Sequence, residues 1–222
     1  MAQSDNKTWD FGRFLQTLSY FEAIPVLSWI QKMLGATPAS PPQPQADVIF
    51  DFRSPSIPLD QTWGALDDVV MGGVSASVLQ TDPEGASFTG RVSTSNSGGF
   101  ASVRTRNFEP ALNLAGASGL ILRVKGDGNR YKFLIRDGES WESVAYAFSF
   151  DTVPGEWIDV QIPFANLVPV FRAKTVENAP PLDIALVRSL QLMLSKFEYD
   201  GALNPHFNPG SFTLCIQSIQ RR

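Results

Sequence analysis

At residue 48 the spacing of apolar side chains changes from a helical period to a period of two. From there onward apolar and polar residues alternate in short runs at 49–52, 74–79, 86–93, 99–105, 120–125, 131–136, 144–150, 157–162, 186–194 and 211–219. The breaks between runs carry turn chemistry, among them Asp82-Pro-Glu-Gly, Asn96-Ser-Gly-Gly, Gly126-Asp-Gly-Asn and Val153-Pro-Gly-Glu. Short strands at such intervals cannot each bury a face alone. They predict an all-β chain folded as a β-sandwich, with a jelly roll as the closure. The 17 glycines, 16 prolines and 16 phenylalanines agree with many turns around an aromatic core. There is no internal repeat and no heptad pattern.

Before residue 48 the chain reads differently. Residues 1–35 form a short aromatic-rich helical arm, 36–47 a proline-rich linker, and 48–222 the β-domain. Thr8 or Asp10 is placed to cap a helix bearing Phe11, Phe14, Leu15, Leu18 and Phe21 on one face. Pro25 permits a second start, and Leu27, Trp29, Ile30, Met33 and Leu34 continue the apolar character up to Gly35. Pro38, Pro41, Pro42 and Pro44 make the linker an extended spacer. Two readings follow. The helices pack on the β-domain, or they form an amphipathic arm that docks in a membrane interface or a partner's groove. The spacer favours the arm, and Trp9, Tyr20 and Trp29 suit an interfacial site. With only Lys7, Arg13 and Lys32 as cations, attraction to anionic lipid would be weak, so lipid and protein both stay open.

Several function classes are disfavoured. A net charge of -4 argues against a nucleic-acid partner. Cys215 is the single cysteine and His206 the single histidine, which excludes an intrachain disulfide and leaves no metal set. His206 lies in the turn-forming Asn204-Pro-His-Phe-Asn-Pro, and Cys215 within a strand, so neither reads as a catalytic residue. Gly126-Asp-Gly-Asn-Arg-Tyr131 imitates a dinucleotide fingerprint but leads into a strand where a helix is needed. No cofactor is expected, and no enzymatic activity. The first residues lack a basic start followed by an apolar run, and 14–21 and 23–31 are too short to span a bilayer.

Alternation also sorts residues by face. Leu120, Leu122 and Val124, Tyr131, Phe133 and Ile135, Ile158, Val160 and Ile162, and Leu190, Leu192 and Leu194 are the expected core. The opposite side of the same strands, if they share a sheet, gives an outer face with Arg123, Arg136, Trp157, Asp159, Gln161 and Gln191. Such a face is an ordinary solvated surface, a protein contact or a carbohydrate site. Asp67 and Asp68 precede an apolar triplet and Gly72-Gly73. Adjacent side chains on an extended chain point apart, so this is not an acid/base pair, and the two carboxylates are expected to lock a loop through backbone N–H groups.

The run Asp67-Asp-Val-Val-Met-Gly-Gly-Val-Ser75, then Phe88-Thr-Gly-Arg, then Asn96-Ser-Gly-Gly-Phe-Ala-Ser-Val-Arg104 resembles the complex I intermediate-associated protein 30 (CIA30) family. Further matches are Gly126-Asp-Gly-Asn-Arg-Tyr131, Trp157 with Ile162-Pro-Phe164, and Gly210-Ser-Phe-Thr-Leu, so that the likeness covers about 48–220. The doubled Val69-Val70 is similar to the photosynthetic, cyanobacterial branch. The resemblance implies a galactose-binding-like jelly roll and a non-catalytic role in assembling a membrane protein complex, photosynthetic or respiratory. It also implies structural roles for Asp68, Met71, Gly72, Gly73, Gly98, Gly99, Phe100 and Arg104, expected along one loop-rich edge. The protein is then expected at the cytoplasmic side of a membrane, peripheral to the thylakoid, with a membrane complex or its assembly intermediate as partner. A carbohydrate-binding module and a permanent linker subunit are the alternatives.

Overall fold

A computed structural model describes residues 8–21, 47–140 and 143–222. Helix α1 (Phe11–Tyr20) begins where Asp10 accepts the backbone N–H of Arg13 at 3.0 Å, so Asp10 and not Thr8 is the cap. A single turn, α2 (Leu59–Thr62), follows the first strand. The strands are β1 (Val48–Asp51), β2 (Trp63–Ala65), β3 (Ala76–Asp82), β4 (Gly85–Val92), β5 (Phe100–Thr105), β6 (Gly119–Lys125), β7 (Arg130–Arg136), β8 (Ala145–Asp151), β9 (Trp157–Pro163), β10 (Val168–Phe171), β11 (Lys174–Thr175), β12 (Ser189–Ser195) and β13 (Gly210–Arg221).

They form two antiparallel sheets. The first has the order β3-β4-β13-β6-β9, with β1 also paired to β13; the second runs β11-β10-β8-β7-β12-β5-β2. Every period-two run in the sequence corresponds to one of these strands. The run at 186–194 starts late, at Ser189, because Leu186 closes a turn onto Asp183 and Val187 bridges Leu112. Three short strands and α2 have no counterpart in the sequence reading, being too brief to show a period.

The alternation puts one side of each strand between the sheets. Leu120, Leu122, Val124, Tyr131, Phe133, Ile135, Ile162, Leu190, Leu192 and Leu194 are fully buried there, packed with Phe88, Leu214 and Ile216, while Ile158 lies at the margin. Each such side chain contributes about 1.5–3 kcal/mol by leaving water. The second sheet also carries a smaller apolar cluster on its outer side, made of Leu134, Ala145, Ala147 and Val170 with Val168, Met193 and Tyr199 against it. That outer side is therefore partly covered by its own loops, which matters for the polar groups beside it.

Candidate functional site

The two adjacent aspartates are both 1% exposed and serve different neighbours. Asp68 opens a one-turn 3-10 helix (Asp68–Met71), and its carboxylate accepts from Ser75 N at 2.9 Å, Ser75 Oγ at 2.7 Å, Gly99 N at 2.8 Å and Phe100 N at 3.3 Å. It thereby joins the loop before β3 to the loop before β5. Glycine is required on both sides. A Cβ on Gly73 would stand 2.3 Å from the Asp68 carboxyl carbon, and one on Gly98 would stand 2.5 Å from its Oδ2. Gly72 ends the turn at φ +88, Gly99 donates to Asp68, and Met71 points outward, 76% exposed.

Asp67 faces the other way. It accepts from Ser77 N at 2.9 Å, Ser77 Oγ at 2.5 Å, Ser102 N at 3.0 Å and Arg13 Nη2 at 2.8 Å. Burial pushes its carboxyl above the usual range, opposed by these donors and by the Arg13 charge. Asp67 thus links β3, β5 and helix α1.

Helix α1 rests on this loop. Trp9 donates its indole N–H to Val69 O at 2.8 Å, and Arg13 donates to Ser75 O at 2.9 Å as well as to Asp67. At its other end Tyr20 packs on Gly64 of β2 with the Arg106 guanidinium 4.0 Å from its ring centre. Of the apolar residues assigned to the arm, Trp9 (40%), Phe11 (55%) and Leu15 (43%) stay exposed, and Phe14, Leu18 and Phe21 are half-buried. The described helix therefore packs on the β-domain and also keeps an aromatic outer face. Leu27, Trp29, Ile30, Met33, the second helix and linker residues 36–46 lie outside the described residues.

The expected single outer face is divided. Strands β6 and β9 belong to the first sheet, β7 and β12 to the second. Arg123, Trp157, Asp159 and Gln161 stay together on the first sheet, where Arg123 bridges Asp159 at 3.3 Å. The Trp157 ring has the Lys125 ammonium 5.1 Å and the Arg123 guanidinium 5.8 Å from its centre, and its indole N–H reaches Glu84. Arg136 and Gln191 are instead on the second sheet, beside Arg104. Alternation along one strand gives the face but not the sheet, so the six share a face in the sequence without sharing a sheet.

Arg104 is 3% exposed, Gln191 1%, and Arg136 half-buried. Arg104 lies away from the loop edge that holds the other family-motif residues. It donates to Ser189 Oγ at 3.1 Å and Asn107 Oδ1 at 3.3 Å, and Phe21 lies with its ring centre 5.8 Å from the guanidinium. Arg136 donates to Gln191 Oε1 at 2.8 Å, and Gln191 donates onward to Ser102 Oγ at 2.8 Å, which bonds Leu66 O. Burial pushes the Arg104 guanidinium down to about 10, and burial with the Arg104 charge pushes Arg136 down to about 9. Both remain cationic near neutral pH. Sequence reading found Arg136 and Gln191 by alternation and Arg104 by resemblance, but nothing local signalled that they meet.

The remaining sequence candidates sit apart. His206 is exposed, with Nδ1 2.8 Å from Asp151 Oδ1. Cys215 is in β13, its thiol pushed up by burial and by the charge of Asp82. The glycine-rich segment 126–129 turns β6 into β7 and precedes no helix. Among the described residues no cluster of His, Cys, Asp and Glu is arranged to hold a metal, and no helix is long and apolar enough to cross a membrane.

Comparison with known proteins adds four findings. A family model described as complex I intermediate-associated protein 30 matches residues 50–216. The uncharacterised protein C9E9.15 of Schizosaccharomyces pombe is 32% identical over 187 residues, spanning 76% of this chain and 81% of that one. A family 11 carbohydrate-binding module from Clostridium thermocellum, solved with a β-1,3-1,4-mixed-linked tetrasaccharide, matches with a TM-score of 0.52 at 16% identity, over 79% of this chain and 94% of its own. An agarase structure matches with a TM-score of 0.51 at 9% identity, over 80% of this chain and 26% of its own. At such identities the likeness is one of fold, the galactose-binding-like jelly roll.

Proposed function

The chain belongs to the complex I intermediate-associated protein 30 family, and on that premise we propose that it is a non-catalytic assembly or scaffolding factor for a membrane-bound photosynthetic or respiratory complex. In the finer reading it belongs to the photosynthetic branch, works at the cytoplasmic side of a membrane, peripheral to the thylakoid, and is tethered through its N-terminal arm. One observation carries the tether. Helix α1 is fixed to the β-domain by Trp9 Nε1 and by both terminal nitrogens of Arg13, yet presents Phe11 and Leu15 to the outside. An apolar strip held rigidly on a polar anchor is the form of a docking helix, because its ordering entropy is already spent before a partner arrives.

The carbohydrate reading has less support. Trp157, its aromatic platform, already has two cations against its ring and an acidic partner on its indole N–H. The test is affinity purification of the tagged full chain from native membranes, with native gels and mass spectrometry. The expected result is recovery with incomplete, precursor-containing complexes, reduced at least about fivefold by Phe11→Ser with Leu15→Ser while the unfolding midpoint stays unchanged, as for exposed positions. Undiminished recovery of the double variant overturns the tether. Recovery only with finished complexes at fixed stoichiometry makes the protein a resident subunit, and recovery alone returns the question to sugar binding.

A further inference from the structure

We propose that Arg104 and Arg136 form an oxyanion-binding site on the outer face of the second sheet, taking the carboxylate or phosphate group of a small ligand. This goes beyond the assembly reading, since the site does not involve the outer face of α1 and its test can fail while that reading stands.

Three adjacent strands build the site. In β5, β12 and β7, Arg104 lies opposite Gln191 and Arg136 lies opposite Ser189. The two side chains cross over the central strand: Arg104 reaches Ser189 and Arg136 reaches Gln191. Both guanidinium groups therefore converge on the same stretch of β12. Gln191 is fixed in turn by its donation to Ser102, so its amide oxygen faces Arg136 and one of its two N–H donors is already used. What remains without a partner among the described residues is donor capacity of the Arg136 guanidinium, its buried Nε–H included.

Among the described residues, every acceptor these two arginines have is neutral, namely Ser189, Asn107 and Gln191. Arg106 and Arg221 likewise donate to neutral carbonyls, of Gln61 and Asn113, but other arginines are paired. Arg13, Arg53, Arg123, Arg130 and Arg188 each have a carboxylate within salt-bridge distance. Among the described residues, Arg104 and Arg136 have none, although Arg104 is 3% exposed. Among the described residues Arg136 makes one hydrogen bond from a fork of five donors, and its Nε–H is buried without a partner. Two desolvated like charges with open donors destabilise the fold unless a counter-charge joins them. A planar or tetrahedral oxyanion supplies that charge, and the guanidinium fork matches its geometry with paired N–H···O bonds. Leu134, next to Gln191 on β7, begins the apolar outer cluster and offers a floor for the organic part of a carboxylate.

The test uses the full chain titrated with inorganic phosphate, with glutarate, and with chloride at matched ionic strength. Arginine Nε–H resonances in 1H–15N spectra and the thermal midpoint are the readouts. The expected result is a saturable shift of the Arg136 Nε–H with phosphate, glutarate or both, and none with chloride; which probe acts identifies the source of the group. Arg136→Gln removes that resonance and is read by the thermal midpoint instead, where the anion concentration giving half of the rise is expected to increase at least about tenfold, as loss of a charged hydrogen-bonding partner does. Gln191→Glu guards against a variant that fails to fold. It places a carboxylate where the Arg136 guanidinium already points, and is expected to raise the midpoint and abolish the anion response. Equal effects of all three anions, or an unchanged response in Gln191→Glu, overturn the site.

Discussion

Asp68 shows how one side chain can hold a loop in place. Four donors from two separate segments end on its carboxylate, and the glycines at 73 and 98 are there because no side chain fits against it. Removing the carboxylate leaves buried N–H groups of Ser75 and Gly99 unsatisfied, a penalty of about 1–3 kcal/mol for each such group. Asp68→Ala is therefore expected to destabilise the chain by at least about 3 kcal/mol. Met71→Ala, three residues along the same motif but exposed, should stay within about 0.5 kcal/mol. Urea unfolding of the two variants side by side checks the difference, and a mild Asp68→Ala would mean that water can replace the carboxylate. The acid pair and its glycines were legible in the sequence as a loop lock. Its partners were not, because Gly99 and Ser102 lie 31 and 35 residues from the carboxylates they bind.

At the scale of elements, helix α1 is the piece whose placement the sequence left open. Its amphipathic spacing is the same whether it covers its own domain or another surface, and only tertiary contacts decide. The deciding residues are polar: Trp9 through its indole N–H, and Arg13 through its guanidinium, both on residues of the Asp67–Ser75 loop. Similar limits explain the missed β2, β10 and β11, which hold two to four residues each and show no period. Docking can be read through Tyr20, whose phenol burial pushes up to about 12 despite the nearby Arg106 charge. Its folded value lies above the unfolded value near 10, so the stability it contributes is present below pH about 10 and is lost as pH rises through about 12. The absorbance titration of tyrosinate, wild type minus Tyr20→Phe, should show one phenol ionising near 12. Arg13→Ala, by releasing the helix from Asp67, should move that phenol toward 10 and speed amide exchange across α1. A difference titration unmoved by Arg13→Ala would show that the Arg106–Tyr20 contact alone holds the helix.

For the whole molecule, the decisive fact is that the two ends of the β-domain are neighbours. β13 pairs with β1, β4 and β6 at once, with Val48 opposite Gln220 and Arg221 N donating to Asp47 O at 2.7 Å. The last strand in the chain is thus interior to the first sheet and contributes Phe212, Leu214, Ile216 and Ile219 to the shared core. Because these long-range contacts close the first sheet, a chain lacking its C-terminal strand is expected to lose the cooperative fold. Ending the chain at residue 209 should give a product with no cooperative thermal transition. Removing residues 1–46 should behave otherwise. It takes away the donors from Trp9 and Arg13 and leaves Asp67 with Ser77 and Ser102, so the midpoint falls while the transition stays cooperative. Calorimetry on the two truncations separates a docked appendage from a structural layer. If loss of 1–46 also abolished the transition, α1 would have to be counted among the elements that make the fold, and an outer-face role for Phe11 and Leu15 would have to be tested by point substitution alone.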